Sequence, residues 1–485
     1  MEIYNGIEYT GILNNKYKME GKIMIKFRKT LLFSAMTILF IIVFTIFVLG
    51  WRMGYPKVDF YNKGNYLLLL VYGILLFIFT HVYGGFKLGI SRKGELIYSN
   101  FIGVLMTNIL MYLQLSLMAQ ELLSLVPIIA ATFVQGLVIA IGCYVNNKIY
   151  FIVHPVRDVV AICSNKEMDL ELVRKMSCIQ ERYKIEAVVS DEIPLEKIKK
   201  TIDDYSSVLL CDIDYETKKQ LINYCYKTST RLYILPDVED IVVSNAHRTQ
   251  IFDTPVFLCK NRGLTPEQEI MKRAMDILAS GLGLILASPF MLIIAVAIKL
   301  EDRGPIFFKQ QRVTRGNEPF YVLKFRSMIV DAEKDGVARL ATKGDSRITK
   351  VGKIIRMTRL DELPQLINIL KGDMSLVGPR PERPEIMADY MKDWPEVEYR
   401  TKVKAGLTGL AQVKGKYNTT PQDKLLFDLL YIERYSLWLD IKLILMTLKI
   451  MFMKESTEGI ESGQVTANLK GVKKFNIDTD ISQAM

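Results

Sequence analysis

Asp361 and Glu362 are adjacent carboxylates in the run Leu360-Asp361-Glu362-Leu363-Pro364-Gln365-Leu366-Ile367-Asn368-Ile369-Leu370-Lys371-Gly372. The pattern predicts a short helix that the two acids begin, with Pro364 in its first turn and Gly372 at its end. A carboxylate at a helix N-terminus is kept ionised by the dipole and free N–H groups, and the same end attracts phosphate. Two neighbouring carboxylates can then divide the work on a diphosphate. One attacks phosphorus, and the other holds Mg²⁺ against the diphosphate. An isolated Asp-Glu at a helix start is most often only a cap; here its neighbours argue for chemistry.

Those neighbours are basic. Phe320–Met328 is expected as a strand with Lys324 and Arg326 on one face and Phe325 on the other. Two cations on one strand face suit a diphosphate, although such pairs are commonly just solvated. Pro379-Arg380-Pro381 makes a stiff loop that fixes one guanidinium at little entropic cost. The polar stretch 331–344, broken by Gly336 and Gly344, is expected as a mobile loop near these groups.

The elements that must position this chemistry begin with a membrane anchor. Four apolar runs, about 31–50, 66–83, 101–120 and 125–145, approach the roughly 20 residues needed to cross a bilayer. Lys and Arg cluster before the first run (Lys16 to Lys29), after the second (Lys87, Arg92, Lys93) and after the fourth (Lys148, Arg157). The loop after the first run also carries Arg52, Lys57 and Lys63, and the link after the third carries neither residue type. The positive-inside rule places the N-terminus and everything after the fourth run in the cytoplasm. No span holds a cluster of ionisable groups, so an ion pathway is not expected.

From Val159 to about residue 260, short β-rich runs alternate with charged amphipathic stretches, which predicts an α/β, Rossmann-like segment with a parallel sheet. The turn after its first strand is Cys163-Ser164-Asn165-Lys166, not a glycine-rich phosphate loop, so a structural or regulatory role is favoured over dinucleotide binding. Pro255 to Glu269 is expected as a final strand and linker. The apolar run Ala274–Ile298 would reach about 37 Å as a straight helix, but Ser288-Pro289 interrupts it. A fifth crossing would export the basic, phosphate-type motifs downstream. A re-entrant helix–break–helix turning at Ser288 and Pro289 is therefore expected, with a kinked fifth span as the alternative. Ser436–Met453 mixes Trp438 and apolar residues with Asp440, Lys442 and Lys449, suiting a helix lying on the bilayer or a buried core helix.

The whole chain of 485 residues, half of them hydrophobic, carries a net charge of +11 and a mean hydropathy of +0.18. These values exclude a disordered chain, a fibrous repeat and a disulfide-stapled secreted domain. The basic excess points to anionic lipid or phosphorylated substrates, and no nucleic-acid-reading pattern is present. Six scattered cysteines without a CxxC pair are expected to be reduced core thiols. The expected division is 1–150, a four-helix transmembrane anchor; 151–262, the α/β segment; 263–455, the re-entrant helix and catalytic domain; and 456–485, a polar tail.

The ordered motifs KFRSM, LDELPQL, KGDMSLVGPRP, GLTGLAQV and D-x-x-Y-I after the apolar run resemble the bacterial sugar transferase family, the monotopic polyprenyl-phosphate phosphoglycosyl transferases. The likeness covers roughly 180 residues from Lys272, and the N-terminal spans resemble the long members. It implies an α/β catalytic domain with a re-entrant helix at the cytoplasmic face of the bacterial inner membrane. It implies transfer of a sugar 1-phosphate from a UDP-sugar to undecaprenyl phosphate, with release of UMP, as the first membrane step of exopolysaccharide, capsule or O-antigen synthesis. Asp361 would be the nucleophile that forms an aspartyl phosphosugar, and Glu362 the Mg²⁺ ligand. Arg356, Lys324, Arg326 and Arg380 would bind the diphosphate or the lipid phosphate. Asp428 matches a recurrent acid, and Ser288 and Pro289 match the re-entrant break. Ala405 stands before Gly406 where the family often has proline. A homodimer through the middle segment or the spans is compatible with this layout.

Two other classes fit parts of the sequence: a membrane scaffold or regulator of polysaccharide assembly that keeps the fold without chemistry, and a glycosyltransferase that releases UDP. The latter usually holds its metal with a DxD motif; Asp212-Ile213-Asp214 has that spacing but is expected to be a chance match.

Overall fold

The computed structural model describes residues 6–451 except 57, 59–62, 165–166, 178, 180, 260–262, 331–344, 346 and 416–418. The loop expected at 331–344, Asn165-Lys166 of the first middle-segment turn, Lys57 and the polar tail lie outside the described residues. The chain forms two compact units, one running to Tyr233 and the other starting at Ile234.

The first unit opens with four long helices, α1 (Gly6–Gly54), α2 (Gly64–Tyr83), α3 (Lys93–Ala119) and α4 (Val126–Val153). The stretch Thr30–Gly54 of α1 and all of α2, α3 and α4 are long and apolar enough to cross a membrane. With no water to satisfy polar groups at that depth, buried amides need partners within the bundle. Gln135 on α4 donates to the Val43 carbonyl of α1 at 2.8 Å and to the Tyr72 hydroxyl of α2 at 2.9 Å. Asn108 on α3 donates to Gln135 Oε1 at 2.7 Å. One polar cluster thus joins all four helices, with Asn108 as its α3 member.

The unit continues through β1 (Arg157–Cys163), α5 (Glu167–Ser177), β2 (Tyr183–Ser190), α6 (Leu195–Asp203), β3 (Ser207–Leu210), α7 (Tyr215–Thr228) and β4 (Arg231–Ile234). The sheet order is β2-β1-β3-β4, with β1 parallel to both neighbours. Asp214 caps α7 by accepting from the Glu216 and Thr217 amides. The DxD spacing is therefore a helix cap.

The second unit starts earlier than the expected 263. Helix α8 (Val238–Ser244) buries Ile241 in the same cluster as Leu425 and Leu429. An antiparallel hairpin, β5 (His247–Ile251) and β6 (Thr254–Leu258), replaces the expected single strand and linker. Then come α9 (Pro266–Asp302), the antiparallel pair β7 (Phe307–Val313) and β8 (Pro319–Phe325), α10 (Lys350–Met357), a 3₁₀ turn (Leu360–Glu362) and α11 (Gln365–Lys371). The unit closes with β9 (Ser375–Val377), α12 (Pro384–Asp393), β10 (Gly406–Thr408) parallel to β9, α13 (Leu410–Lys414), α14 (Pro421–Glu433) and α15 (Leu437–Met451).

Helix α9 corrects the expected break: its backbone stays helical through Pro289. Proline removes the N–H that would serve the Ile285 carbonyl. Ser288 Oγ donates to that same carbonyl at 2.8 Å, so the turn survives. Both ends of α9 are tied to the unit that follows. Near its start, buried Lys272 reaches Asp440 of α15 at 2.6 Å, and Asp276 accepts from Ser375 Oγ and the Leu376 amide of β9. At its end, Glu301 accepts from the first amides of α10, a favourable place for a carboxylate. Between these ties, Leu282, Ile285, Leu286, Phe290, Leu292 and Ile293 are 60–71% exposed. Helix α15 buries Asp440, Leu443, Met446 and Lys449 and leaves Trp438 half-exposed.

Candidate active site

The two carboxylates are built into a bend, not into the first turn of a helix. Arg359 adopts φ +58°, a left-handed conformation uncommon for a side chain with a Cβ, and it stops α10 so that Leu360–Glu362 close a 3₁₀ turn. Pro364 then precedes α11. This corrects the expected single helix: the left-handed Arg359 ends α10, and a 3₁₀ turn carries the two acids before α11 begins. The far end of α11 is fixed by cations, as helix carbonyls prefer. Arg273 donates to the Ile369 and Leu370 carbonyls at 2.6 and 2.8 Å, and Lys404 donates to the Gly372 carbonyl at 2.7 Å.

Glu362 is mostly buried, its side chain 14% exposed, and two cations meet its Oε1: Lys324 Nζ at 2.9 Å and Arg380 Nη2 at 3.2 Å. Burial alone would push its carboxyl up, but Lys324 and Arg380 outweigh burial and hold it well below the usual carboxylate range. Asp361 responds in the opposite sense. Burial, and then the charge of Glu362, push its carboxyl up to about 6, while Lys324, Arg356 and Arg359 pull it down. Two adjacent acids thus have different protonation behaviour: cations 2.9 and 3.2 Å from Glu362 outweigh its burial, whereas burial prevails at Asp361. Arg356, in the last turn of α10, acts on Asp361 through charge.

Two expected site residues are placed elsewhere. Arg326 follows the last residue of β8, so strand alternation does not carry it beside Lys324. Its buried guanidinium pairs with Asp302 at the end of α9. Asp428, 1% exposed, lies behind the site and binds Arg400 at 2.8 Å; burial pushes its carboxyl up to about 6. Asp428 is enclosed by protein and is not a substrate-facing acid.

Several residues that the sequence did not single out do the positioning. Asn368 of α11 laces onto β8, accepting from the Leu323 amide and donating to the Tyr321 carbonyl, both at 2.9 Å. This sets the strand bearing Lys324 against the helix that follows Glu362. Ala405 donates its amide to Thr314 Oγ1 at 3.1 Å, a bond that proline could not make. An uncharged asparagine inside an apolar run is the one sequence signal that could have drawn attention to Asn368.

A metal finds no protein cage here, because no group of three or more His, Cys, Asp or Glu side chains converges among the described residues. The donor set is two adjacent carboxylates. That suits Mg²⁺, which commonly takes one or two carboxylates and completes its shell with substrate phosphates and water.

Residues 267–454 match the family described as bacterial sugar transferase. Over 184 residues the chain is 43% identical to a UDP-glucose:undecaprenyl-phosphate glucose-1-phosphate transferase of Caulobacter vibrioides, covering 37% of this chain and 68% of that protein. The chain belongs to the bacterial sugar transferase family. This sugar transferase is also 46% identical over 188 residues to a UDP-N-acetylgalactosamine-undecaprenyl-phosphate N-acetylgalactosaminephosphotransferase of Aeromonas hydrophila, covering 38% of this chain and 44% of that one. It is 38% identical over 248 residues to a UDP-glucose:undecaprenyl-phosphate glucose-1-phosphate transferase of Escherichia coli, covering 50% and 53%. The matched region therefore spans about half the length of these last two relatives. The carboxylate pair, Lys324, Arg356 and Arg380 all lie within the family match.

Proposed function

We propose that this chain transfers a sugar 1-phosphate from a UDP-sugar to undecaprenyl phosphate at the inner face of the bacterial cytoplasmic membrane. One observation carries the proposal: in a pair of adjacent carboxylates, Glu362 is held by Lys324 at 2.9 Å and Arg380 at 3.2 Å, and the neighbouring Asp361 is pushed up by burial and by that charge. A carboxylate ionised just above about pH 6 is a better nucleophile than one held strongly acidic, because nucleophilicity rises with basicity. Asp361 is therefore assigned the attack. An Asp361 carboxylate oxygen bonds to the β-phosphorus, the α–β anhydride bond breaks, and UMP leaves with the electron pair. A phosphate oxygen of undecaprenyl phosphate then attacks the same phosphorus. The aspartyl–phosphorus bond breaks and the carboxylate is regenerated.

Lys324 and Arg380 hold Glu362 ionised and supply positive charge beside the diphosphate. Glu362, with Asp361 adjacent, would hold Mg²⁺, which when bound neutralises phosphate charge. The second substrate carries its phosphate on a lipid, so the pocket must meet a bilayer surface. The exposed apolar middle of α9, tied to the catalytic unit at both ends, supports a re-entrant membrane helix. The mixed face of α15 around Trp438 supports contact with the same surface. In this proposal the product enters polysaccharide assembly at its first membrane step.

The test is incubation of the full chain with undecaprenyl phosphate and a panel of UDP-sugars, with the released nucleotide identified. UMP release, abolished by Asp361→Asn, supports the proposal. UDP release would indicate a simple glycosyltransferase, and no nucleotide release would indicate a scaffold.

A further inference from the structure

The loop that carries Arg380 has an unusual problem of fixation. Pro379 and Pro381 have no N–H, so two of its residues cannot donate to neighbours. The loop is held through its carbonyls instead. Four successive carbonyls accept from four separate donors. Pro379 O accepts from the Gly406 amide at 2.8 Å, and Glu382 O from the Val313 amide at 3.0 Å. Between them, Arg380 O accepts from Arg400 Nη2 at 3.1 Å and Pro381 O from Arg312 Nη1 at 3.1 Å.

The two side-chain donors are themselves constrained. Arg400 is 7% exposed and its Nη2 also meets Asp428 Oδ2 at 2.8 Å. The Glu382 carboxylate lies between both guanidinium groups, 3.7 Å from Arg312 and 3.8 Å from Arg400. Buried charges of this kind are retained only when paired and hydrogen-bonded, and here the bonds converge on the backbone of one loop. At the loop's tip, Arg380 Nη2 lies 3.2 Å from Glu362 Oε1.

We infer that Arg312 and Arg400, the latter set by Asp428, are positioning residues that fix the Arg380 guanidinium on Glu362; the inference rests on the proposed role of the Asp361–Glu362 pair. They act on the site through the loop's backbone. A lysine ammonium lacks the planar guanidinium that aims Nη2 at the Arg380 carbonyl while keeping it 2.8 Å from the Asp428 carboxylate, so Arg→Lys keeps the charge and loses the geometry.

Two measurements on the full chain test this. The first is hydrogen exchange of the peptide covering 378–383. Arg400→Lys and Arg312→Lys are each expected to speed its exchange while peptides of α11 and β8 stay as in the unsubstituted protein. Unchanged exchange overturns the inference. The second is UMP release from a UDP-sugar. Arg400→Lys is expected to lower kcat about tenfold when Arg380 is present, and less than about twofold in an Arg380→Ala background. An equal loss in both backgrounds, or a loss that tracks a fall in Tm, shows a merely structural role and overturns it. If the unsubstituted chain releases no UMP, the proposed reaction fails, and the exchange data alone decide whether the two arginines hold the loop.

Discussion

The side-chain amide of Asn368 takes the place of a β-strand partner for Leu323, accepting its amide at 2.9 Å while donating to the carbonyl two residues earlier, at Tyr321. A third bond, to Asp373 Oδ2 at 3.0 Å, fixes the amide's orientation. Because Lys324 follows Leu323 on β8, this lacing places the ammonium that holds Glu362 down. Asn368→Leu should leave a strand amide and carbonyl without partners, costing about 1–3 kcal/mol. The check is thermal unfolding together with UMP release. Activity should fall further than the lost stability explains, and an active variant with normal kcat would show that β8 needs no such support.

The acid pair sets a pH dependence with a definite sign. Asp361 must be ionised to attack, and its carboxyl is raised to about 6, so UMP release should decline as pH falls through that value. Arg356 pulls the Asp361 carboxyl down. Arg356→Ala should therefore move the acidic limb of the kcat profile to higher pH. A limb that does not move, or moves to lower pH, contradicts the assignment.

The same shift has a consequence for stability. A carboxyl raised in the folded state favours folding most when protonated, below its ordinary unfolded value near 4, and that contribution is lost as pH rises through about 6. At pH 7.5 an ionised Asp361 thus works against the fold. Asp361→Asn should be inactive yet unfold at a higher temperature than the unsubstituted protein at that pH. Equal or lower stability of the variant at that pH would argue against the buried-acid account.

Lys272 and Asp440 are a nearly water-free pair, their side chains 5% and 0% exposed, with Tyr431 hydroxyl donating to the other Asp440 oxygen at 2.8 Å. Lys272→Met removes one charge and strands the other, which should cost about 3–5 kcal/mol. Adding Asp440→Leu should restore much of that loss, since the isolated charge is then gone. Tm values of the two variants in the same detergent decide it; a double variant no better than the single would mean that the pair itself is the stabilising element.

The sequence made the coarse order of elements legible because each has a distinct period and length: long apolar runs for the spans, alternating β-rich and amphipathic stretches for the sheet, and Pro and Gly around the carboxylates. Partner choice was not legible. Arg326 looked like a companion of Lys324 by alternation, but the strand ends at Phe325 and Asp302 is nearer. Asp428 looked like a site acid, but its partner Arg400 comes from a distant 3₁₀ segment and encloses it. The hairpin β5–β6 has no signature in the sequence because neither strand has a buried face to impress alternation on its residues.

The Ser288–Pro289 pair supplies the sharpest topological test. Pro289 deprives the Ile285 carbonyl of its helical donor, and the Ser288 hydroxyl fills that need at 2.8 Å, so the helix is weakened at one turn without being cut. In a re-entrant arrangement both ends of α9 face the cytoplasm. With the six native cysteines replaced, single cysteines at Glu267 and Lys309 should both react with a membrane-impermeant maleimide from the cytoplasmic side. Pro289→Ala restores the missing N–H and removes the ring clash. That change should stiffen the helix toward a straight span of about 55 Å for its 37 residues and reduce cytoplasmic labelling at Lys309. Labelling of Glu267 and Lys309 from opposite faces in the proline-containing chain would instead make α9 a fifth crossing and separate the carboxylate pocket from cytoplasmic nucleotide sugars.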